Sequence, residues 1–177
     1  MHTPTGRPFI FAAVLLLVSA HALATEKQVC DPTYRALSDS IGPFLIAGTL
    51  AIAADRQGGM RAAVQTTKAL ITTTLVTQAL KLGVPTRRPN GDGMDSFPSG
   101  HTSAAFAMAT CIDAYQPTAG GLAYGSAAAI GYSRIEVGAH RWDEVVAGAL
   151  IGYFIARHFT HDRSGSGSPS VGFSISF

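Results

Sequence analysis

Apolar and small residues recur along this 177-residue chain in blocks of helical length, and the alternating pattern of a strand is nearly absent. The blocks predict helices near residues 41–54, 62–82, 99–115, 119–133 and 143–160. The stretch DRQGG separates the first two blocks, and Gln116-Pro117 ends the third. The predicted fold class is therefore all-α, an up-and-down bundle of about five helices with short connections.

The two ends of the chain fall outside this pattern. Arg7 followed by FIFAAVLLLVSA, then Ala22-Leu23-Ala24, is typical of a cleaved export signal. The apolar run is shorter than the roughly 20 residues that a span needs, although an uncleaved membrane helix is the alternative. We predict a signal peptide at 1–24, a helical domain at 25–162 and a flexible tail at 163–177. The terminal VGFSISF resembles a short strand, but a disordered end fits it better.

Composition leaves two environments open. Hydrophobic residues make up 47% of the chain and charged residues 14%, and the mean hydropathy is +0.24. The uncharged runs are shorter than a full span, yet the spacings Gly121/Gly125 and Gly148/Gly152 suit close helix contacts in lipid. A membrane-embedded bundle in the bacterial inner membrane is favoured, and a soluble periplasmic bundle is the alternative. A net charge of only +2 argues against a nucleic-acid partner, and the oligomeric state is left open.

Orientation and redox state depend on export. If the signal is cleaved, the basic segments at 56–61 and 157–163 fall inside, as the positive-inside rule requires, and the other end faces the periplasm. An oxidising compartment permits a disulfide between Cys30 and Cys111, and two unpaired thiols fit equally well.

The stretch PSGH is the first candidate for chemistry. Ser99 follows Pro98 as a helix N-cap, which leaves the first backbone N–H groups and the positive end of the helix dipole beside it. Gly100 allows an anion to approach the backbone closely, and His101 can exchange a proton near neutral pH. Taken alone, the stretch also fits an ordinary capped helix with a surface histidine.

Cations and a second histidine flank this stretch. The loop GVPTRRPNGDGMDSFP, the segment at 134–142 and the start of the helix at 99 all fall on the same end of the predicted bundle. Lys81 ends one helix and Arg88 opens the loop that follows, so both can reach one phosphate, with a solvated basic loop as the alternative. Arg134 adds a third cation. His140 follows it and lies close to acids at the next helix N-terminus.

These segments resemble the type 2 phosphatidic acid phosphatase (PAP2) superfamily, which also includes class A acid phosphatases and vanadium haloperoxidases. The family pattern is K-x6-RP, PSGH and SR-x5-H-x3-D, and here it begins at Lys81, Pro98 and Ser133. The match covers about residues 70–155. Three ordered motifs are far more specific than one short pattern.

The resemblance implies a role for each matched residue. His140 would attack phosphorus and His101 would protonate the leaving oxygen. The phosphate oxygens would be held by Lys81, Arg88, Ser99, Gly100 and Arg134. No metal or other cofactor is implied, because the cations supply the positive charge.

One position departs from the family pattern. The family has an aspartate at the fourth position after the histidine, where this chain has Glu144, and Asp143 stands one residue earlier. The following VVAG aligns with the family's usual continuation and favours Glu144 as the residue that orients His140. Asp143 is the alternative, and the extra methylene of glutamate puts the geometry in question.

The leading functional hypothesis is a metal-independent phosphatase that hydrolyses a lipid phosphate or diphosphate at the periplasmic face through a phosphohistidine. The main alternative is a soluble periplasmic acid phosphatase of broad specificity. Two other hypotheses are a non-catalytic phosphate-binding relative and a vanadate-dependent peroxidase, although haloperoxidases of this kind are usually much longer. The sequence does not name the substrate among the lipid phosphates.

Overall fold

A computed structural model describes residues 31–55 and 59–161. This part of the chain forms six helices: α1 (Pro32–Asp39), α2 (Ile41–Ala53), α3 (Gly59–Gly83), α4 (Gly100–Tyr115), α5 (Pro117–Glu136) and α6 (Trp142–Thr160). The all-α prediction is confirmed, and all five predicted helices are present. The predicted signal peptide, Cys30 and the predicted tail lie outside the described residues and stay predictions.

The helix that the sequence analysis missed is α1. Asp31 caps it by accepting a hydrogen bond from the backbone N–H of Thr33 at 2.8 Å, and Pro32 occupies its first turn. Ser40 ends the helix, donating its hydroxyl to the carbonyl of Leu37. The Asp-Pro start is a recognisable helix signal, but a helix this short and polar shows no long apolar stripe.

Gln116-Pro117 ends α4 as predicted, but Pro117 also begins α5, two residues before the predicted start of that helix. It lies in the first turn of α5, where its missing N–H is not needed, and Gln116 alone connects α4 to α5. The side-chain amide of Gln116 donates to the carbonyl of Ala51 at 2.7 Å. This hydrogen bond ties the turn to the end of α2.

The centre of the bundle is α4, which packs against α3, α5 and α6. Residues 105–112 are buried without interruption, so this helix has no exposed face along that stretch. Cys111 lies there, buried and without a disulfide partner among the described residues. Alanines at positions 105, 107 and 109 keep the surrounding helices close. The start of α4 is therefore continuous with a helical segment that is completely buried.

The contact between α4 and α6 requires glycine. A Cβ on Gly148 would lie 2.5 Å from the carbonyl oxygen of Ser99, and one on Gly152 would lie 2.0 Å from that of Ser103. A Cβ on Gly121 or Gly125 would meet nothing within 4 Å. Gly148 and Gly152 thus form a close helix contact within the chain, and Gly121 and Gly125 face outward.

Loops and helix ends from distant parts of the sequence meet at one end of the bundle. The backbone N–H of Ser99 donates to the carbonyl of Glu144 at 3.0 Å, which joins the start of α4 to the start of α6. The N–H of Asn90 donates to the carbonyl of Gly138 at 2.9 Å, which joins the two loops. We call this the polar end of the bundle.

Candidate active site

The loop between α3 and α4 is closed by backbone hydrogen bonds. Thr86 donates to the carbonyl of Met94 at 3.0 Å and accepts from the N–H of Ser96 at 2.9 Å. Between these positions the chain reverses at Gly91 and Gly93, whose φ angles of 87° and 103° favour glycine. The closed loop holds its side chains at the polar end.

Two of the three predicted cations meet at one residue of this loop. Arg88 donates from Nε and Nη2 to the two carboxylate oxygens of Asp95, each at 2.9 Å. Lys81, in the last turn of α3, donates from Nζ to the backbone carbonyl of Asp95. The hydrogen bonds from Arg88 hold the pKa of the Asp95 carboxyl below its usual value, so this group is an anion at neutral pH.

The start of α4 keeps its free N–H groups. Ser99 stands at the N-cap position, but its side chain makes no capping hydrogen bond. Its Oγ instead accepts from the hydroxyl of Thr102 at 2.8 Å, and the whole residue is buried. A Cβ on Gly100 would make only ordinary contacts, the nearest at 3.8 Å, so packing does not require glycine there. Room is left above the N–H groups at the helix start.

His140 lies in the short loop between α5 and α6. The N–H groups of Ala139 and His140 both donate to the carbonyl of Arg134 at 3.1 Å, and Gly138 turns the chain with φ of 66°. His140 is buried, and its Nδ1 lies 3.4 Å from Oε2 of Glu144. Burial lowers the pKa of His140 from 6.5 to about 3, and the charges of the nearby cations, Arg134 first, act in the same direction.

Glu144 is held in place from two sides. Its Oε2 accepts the backbone N–H of Arg141 at 2.9 Å, which is half of a capping box at the start of α6. The buried hydroxyl of Ser96 donates to the same oxygen. Glu144 is the third residue of α6, and its longer side chain reaches back to the backbone of the N-cap residue Arg141. The extra methylene, compared with aspartate, allows this contact.

Asp143 has a different partner. Its Oδ1 lies 3.3 Å from Nε of Arg141, and both side chains are well exposed. Of the two predicted acids, the structure therefore brings Glu144 to His140 and pairs Asp143 with a surface arginine.

Arg134, in the last turn of α5, lies beside the helix missed by the sequence analysis. Its Nη1 donates to Oγ of Ser38, which is buried on α1. The rings of Tyr34 and Tyr132 pack edge to face with centroids 5.9 Å apart, which docks α1 on α5. Nε of Arg134 is buried and has no hydrogen-bond partner within residues 31–55 and 59–161. That donor is free to bind an oxygen of a substrate.

His101 occupies the second position of α4 and is partly exposed. Burial lowers the pKa of His101 from 6.5 to about 4, the charges of Arg134, Arg88 and Lys81 act in the same direction, and that of Asp39 acts against them. The structure thus brings the matched residues of all three motifs to one end. The sequence analysis missed Ser38, Asp95 and Ser96 as parts of this site. Of these three residues, only Asp95 and Ser96 could have been suspected from the sequence, because they directly precede FPSGH.

No group of three or more His, Cys, Asp or Glu side chains in the described part of the chain is arranged to hold a metal ion. The polar groups at this end include cations, amides, hydroxyls and imidazoles, and the carboxylates of Asp95 and Glu144 are each already hydrogen-bonded. This donor set is suited to an oxyanion. The fold and the site together define a helical-bundle protein that receives a phosphoryl group or a similar anion.

Comparison with known families makes the assignment specific. The sequence profile of the PAP2 superfamily matches residues 62–167. This match spans more than half of the chain, so the protein belongs to the PAP2 superfamily and is a PAP2-type phosphatase. No curated protein sequence matches the chain.

A solved structure agrees with this assignment at the level of the fold. The crystal structure of a transmembrane PAP2-type phosphatidylglycerolphosphate phosphatase from Bacillus subtilis matches with a TM-score of 0.57 and 18% sequence identity. The match covers 88% of each chain. At this identity the similarity shows the fold that the two chains share. Among the described residues, the stretch Pro32–Ala53, which comprises α1 and α2, is the one both long and apolar enough to cross a membrane by length and composition.

Proposed function

We propose that this phosphatase hydrolyses a lipid phosphate or diphosphate at the periplasmic face of the membrane, through a phosphohistidine at His140. The observation that carries the proposal is the buried His140–Glu144 pair beside three cations and the free start of α4.

The first chemical step uses the two nitrogens of His140 differently. Nδ1 lies 3.4 Å from Oε2 of Glu144 without a hydrogen bond to it in the substrate-free protein, and the proposed mechanism places the proton on Nδ1 and the lone pair on Nε2. This Nε2 attacks phosphorus, a P–N bond forms, and the bond from phosphorus to the ester oxygen breaks. The negative charge of the bound phosphate raises the pKa of the adjacent His101, which in its protonated form gives its proton to that oxygen, and the alcohol leaves. Glu144 stabilises the positive charge that develops on the imidazole.

The second step releases phosphate. Neutral His101 takes a proton from water, whose oxygen attacks the phosphorus of the phosphohistidine. The P–N bond breaks, inorganic phosphate forms and His140 regains its neutral state. Because the pKa of His140 in the free enzyme is about 3, its imidazole is neutral at neutral pH, and one ring nitrogen has a lone pair for attack.

Positive groups would hold the phosphoryl oxygens in both steps. Lys81, Arg88 and Arg134 supply charge, Ser99 supplies its hydroxyl, and the backbone from Gly100 onward supplies N–H donors and the positive end of the α4 dipole. The unpartnered Nε of Arg134 supports this role. Charge on the oxygens increases in the transition state, so fixed donors of this kind lower the barrier.

The exposed apolar side chains support the lipid part of the proposal. Large apolar residues on the outer faces of α2, α3, α5 and α6 are between 55% and 79% exposed: Ile46, Leu50, Ile71, Leu75, Leu122 and Phe154. Exposed apolar surface on several helices suits a lipid environment. Trp142, 54% exposed at the start of α6, lies at the polar end, where an interfacial tryptophan is expected.

Phosphate release in the presence of EDTA tests the mechanism. We expect the parent protein to release phosphate and the His140→Ala variant to be slower by at least about 1,000-fold, since the nucleophile is lost. A lipid phosphate in detergent and a small phosphomonoester are offered in parallel. Equal release by parent and variant would contradict the histidine mechanism.

Two further outcomes concern the substrate and the compartment. Preference for the small ester, together with release of the protein by osmotic shock, would replace the lipid proposal with a soluble periplasmic acid phosphatase. Retention in the membrane fraction and preference for the lipid support the proposal as stated.

A further inference from the structure

Asp95 lies between two of the motifs and belongs to none of them. Its carboxylate binds Arg88 of the first motif through two hydrogen bonds of 2.9 Å, and its backbone carbonyl accepts from Lys81 of the same motif. Its neighbour Ser96 is buried and donates to Glu144. A single residue thus contacts both Lys81 and Arg88, the two cations of the first motif.

The geometry of the pair leaves part of Arg88 available. A guanidinium has five N–H donors, and Asp95 uses one on Nε and one on Nη2. The edge formed by Nη1 and the second hydrogen of Nη2 remains for another oxyanion. Because the bidentate contact fixes the plane of the guanidinium, it also fixes the direction in which this edge points.

We propose that Asp95 is a positioning residue whose carboxylate holds Arg88 in the arrangement that binds the phosphoryl group, while its backbone carbonyl, which any residue would supply, contacts Lys81. The proposal rests on the proposed phosphate-binding role of these two cations. Asp95 does not itself touch the phosphoryl group. Its carboxylate keeps the long, flexible side chain of Arg88 in one conformation, so that less conformational entropy is lost when the substrate binds.

Asp95 could instead block Arg88, and substitution of Asp95 would then have the opposite effect on phosphate binding. An anion that merely occupied Arg88 would compete with phosphate, and its removal would strengthen phosphate binding. A positioning residue makes phosphate binding weaker when it is removed. The Asp95 side chain is 52% exposed, so its repulsion of a bound phosphate is screened by water, whereas its hydrogen bonds to Arg88 are short and paired.

Three variants of the full-length protein in detergent test the proposal, with inorganic phosphate as a competitive inhibitor. Asp95→Asn keeps the shape but loses one acceptor and the charge, and Asp95→Glu keeps both. The matched control is Asp92→Asn, which removes the same charge from the same loop, where Asp92 contacts Asn90. For each variant kcat, KM and the inhibition constant of phosphate are measured, and thermal unfolding checks the fold.

We expect Asp95→Asn to raise KM and the inhibition constant of phosphate about tenfold and to lower kcat/KM by about 10- to 100-fold. Asp95→Glu should lie closer to the parent than Asp95→Asn, and Asp92→Asn should lie within about twofold of the parent. Tighter phosphate inhibition in Asp95→Asn, or an effect equal to that of Asp92→Asn, would overturn the proposal.

A double-mutant cycle separates positioning from a general structural effect. In an Arg88→Lys background the bidentate contact cannot form, so the further change Asp95→Asn should then alter kcat/KM by less than about threefold. An undiminished effect would show that Asp95 acts otherwise and would overturn the proposal. If the parent released no phosphate, or His140→Ala released as much, the proposed function itself would fail, which is a separate outcome.

Discussion

The candidate active site has two halves that are built differently. In the histidine half, the side chains are almost completely buried, with exposures of 3% or less: His140, Glu144, Ser96 and Ser99. In the cation half, the side chain of Arg88 is 24% exposed and that of its partner Asp95 is 52% exposed. The first half stands on the packed starts of α4 and α6, and the second half stands mainly on a loop.

The difference shows what holds each half in place. Around His140, helix packing and a capping box exclude water, so a change in shape is transmitted directly to the reacting groups. Around Arg88, only polar contacts determine the geometry, and water competes with each of them. We therefore expect the buried half to be intolerant of small substitutions and the exposed half to respond mainly through binding.

The largest effect in the buried half should come from Glu144→Gln. The amide keeps the size of the side chain but removes the charge that stabilises the developing imidazolium, so we expect kcat to fall by about 100-fold. Asp143→Asn removes the exposed acid beside it and should change kcat by less than about threefold. Steady-state kinetics on both variants measures the difference, and a larger loss in Asp143→Asn would reverse the assignment of the orienting acid.

Gly148→Ala should give the next largest effect. Its Cβ would lie 2.5 Å from the carbonyl oxygen of Ser99, so α4 and α6 must separate, and we expect a loss of about 1 to 3 kcal/mol in the free energy of unfolding. The control is Gly125→Ala, which meets nothing within 4 Å and should be neutral or stabilising by up to about 1 kcal/mol. Thermal unfolding of the two variants compares them. Equal melting temperatures would show that the α4–α6 contact is not as close as described.

The smallest effect is a dependence of stability on pH. The pKa of His140 is lowered to about 3 in the folded state from 6.5, so protons bind the unfolded chain first as the pH falls. Stability present above pH 6.5 is lost progressively toward pH 3, by up to about 1.4 kcal/mol per pH unit. Replacing His140 with Gln removes this titration, so between pH 7 and pH 5 the parent should lose about 2 kcal/mol more than the variant. Denaturant unfolding at the two pH values gives both losses, and identical losses would contradict a buried neutral His140.

The two halves also differ in how far they could be predicted. The helices followed from long blocks of apolar and small residues, and α1 escaped because it is short and polar. The spacing of Lys81 and Arg88 predicted both cations as site residues. Their common contact with Asp95 depends on how the loop closes between Thr86 and Ser96. Loop closure of this kind has no periodic signal in the sequence.

The sequence by itself determined the class of fold, the three motifs and the identity of the residues that could carry phosphoryl chemistry, because helix periodicity and motif spacing are local properties of the chain. Only the tertiary structure decided that Glu144 faces His140 while Asp143 faces Arg141, that Ser38 reaches Arg134, and that Asp95 contacts two cations. These contacts depend on the direction of side chains at helix ends and on the close approach of α4 and α6. That approach depends on Gly148 and Gly152 facing inward. Gly121 and Gly125 have the same spacing but face outward, so the spacing alone does not identify the pair at the helix contact.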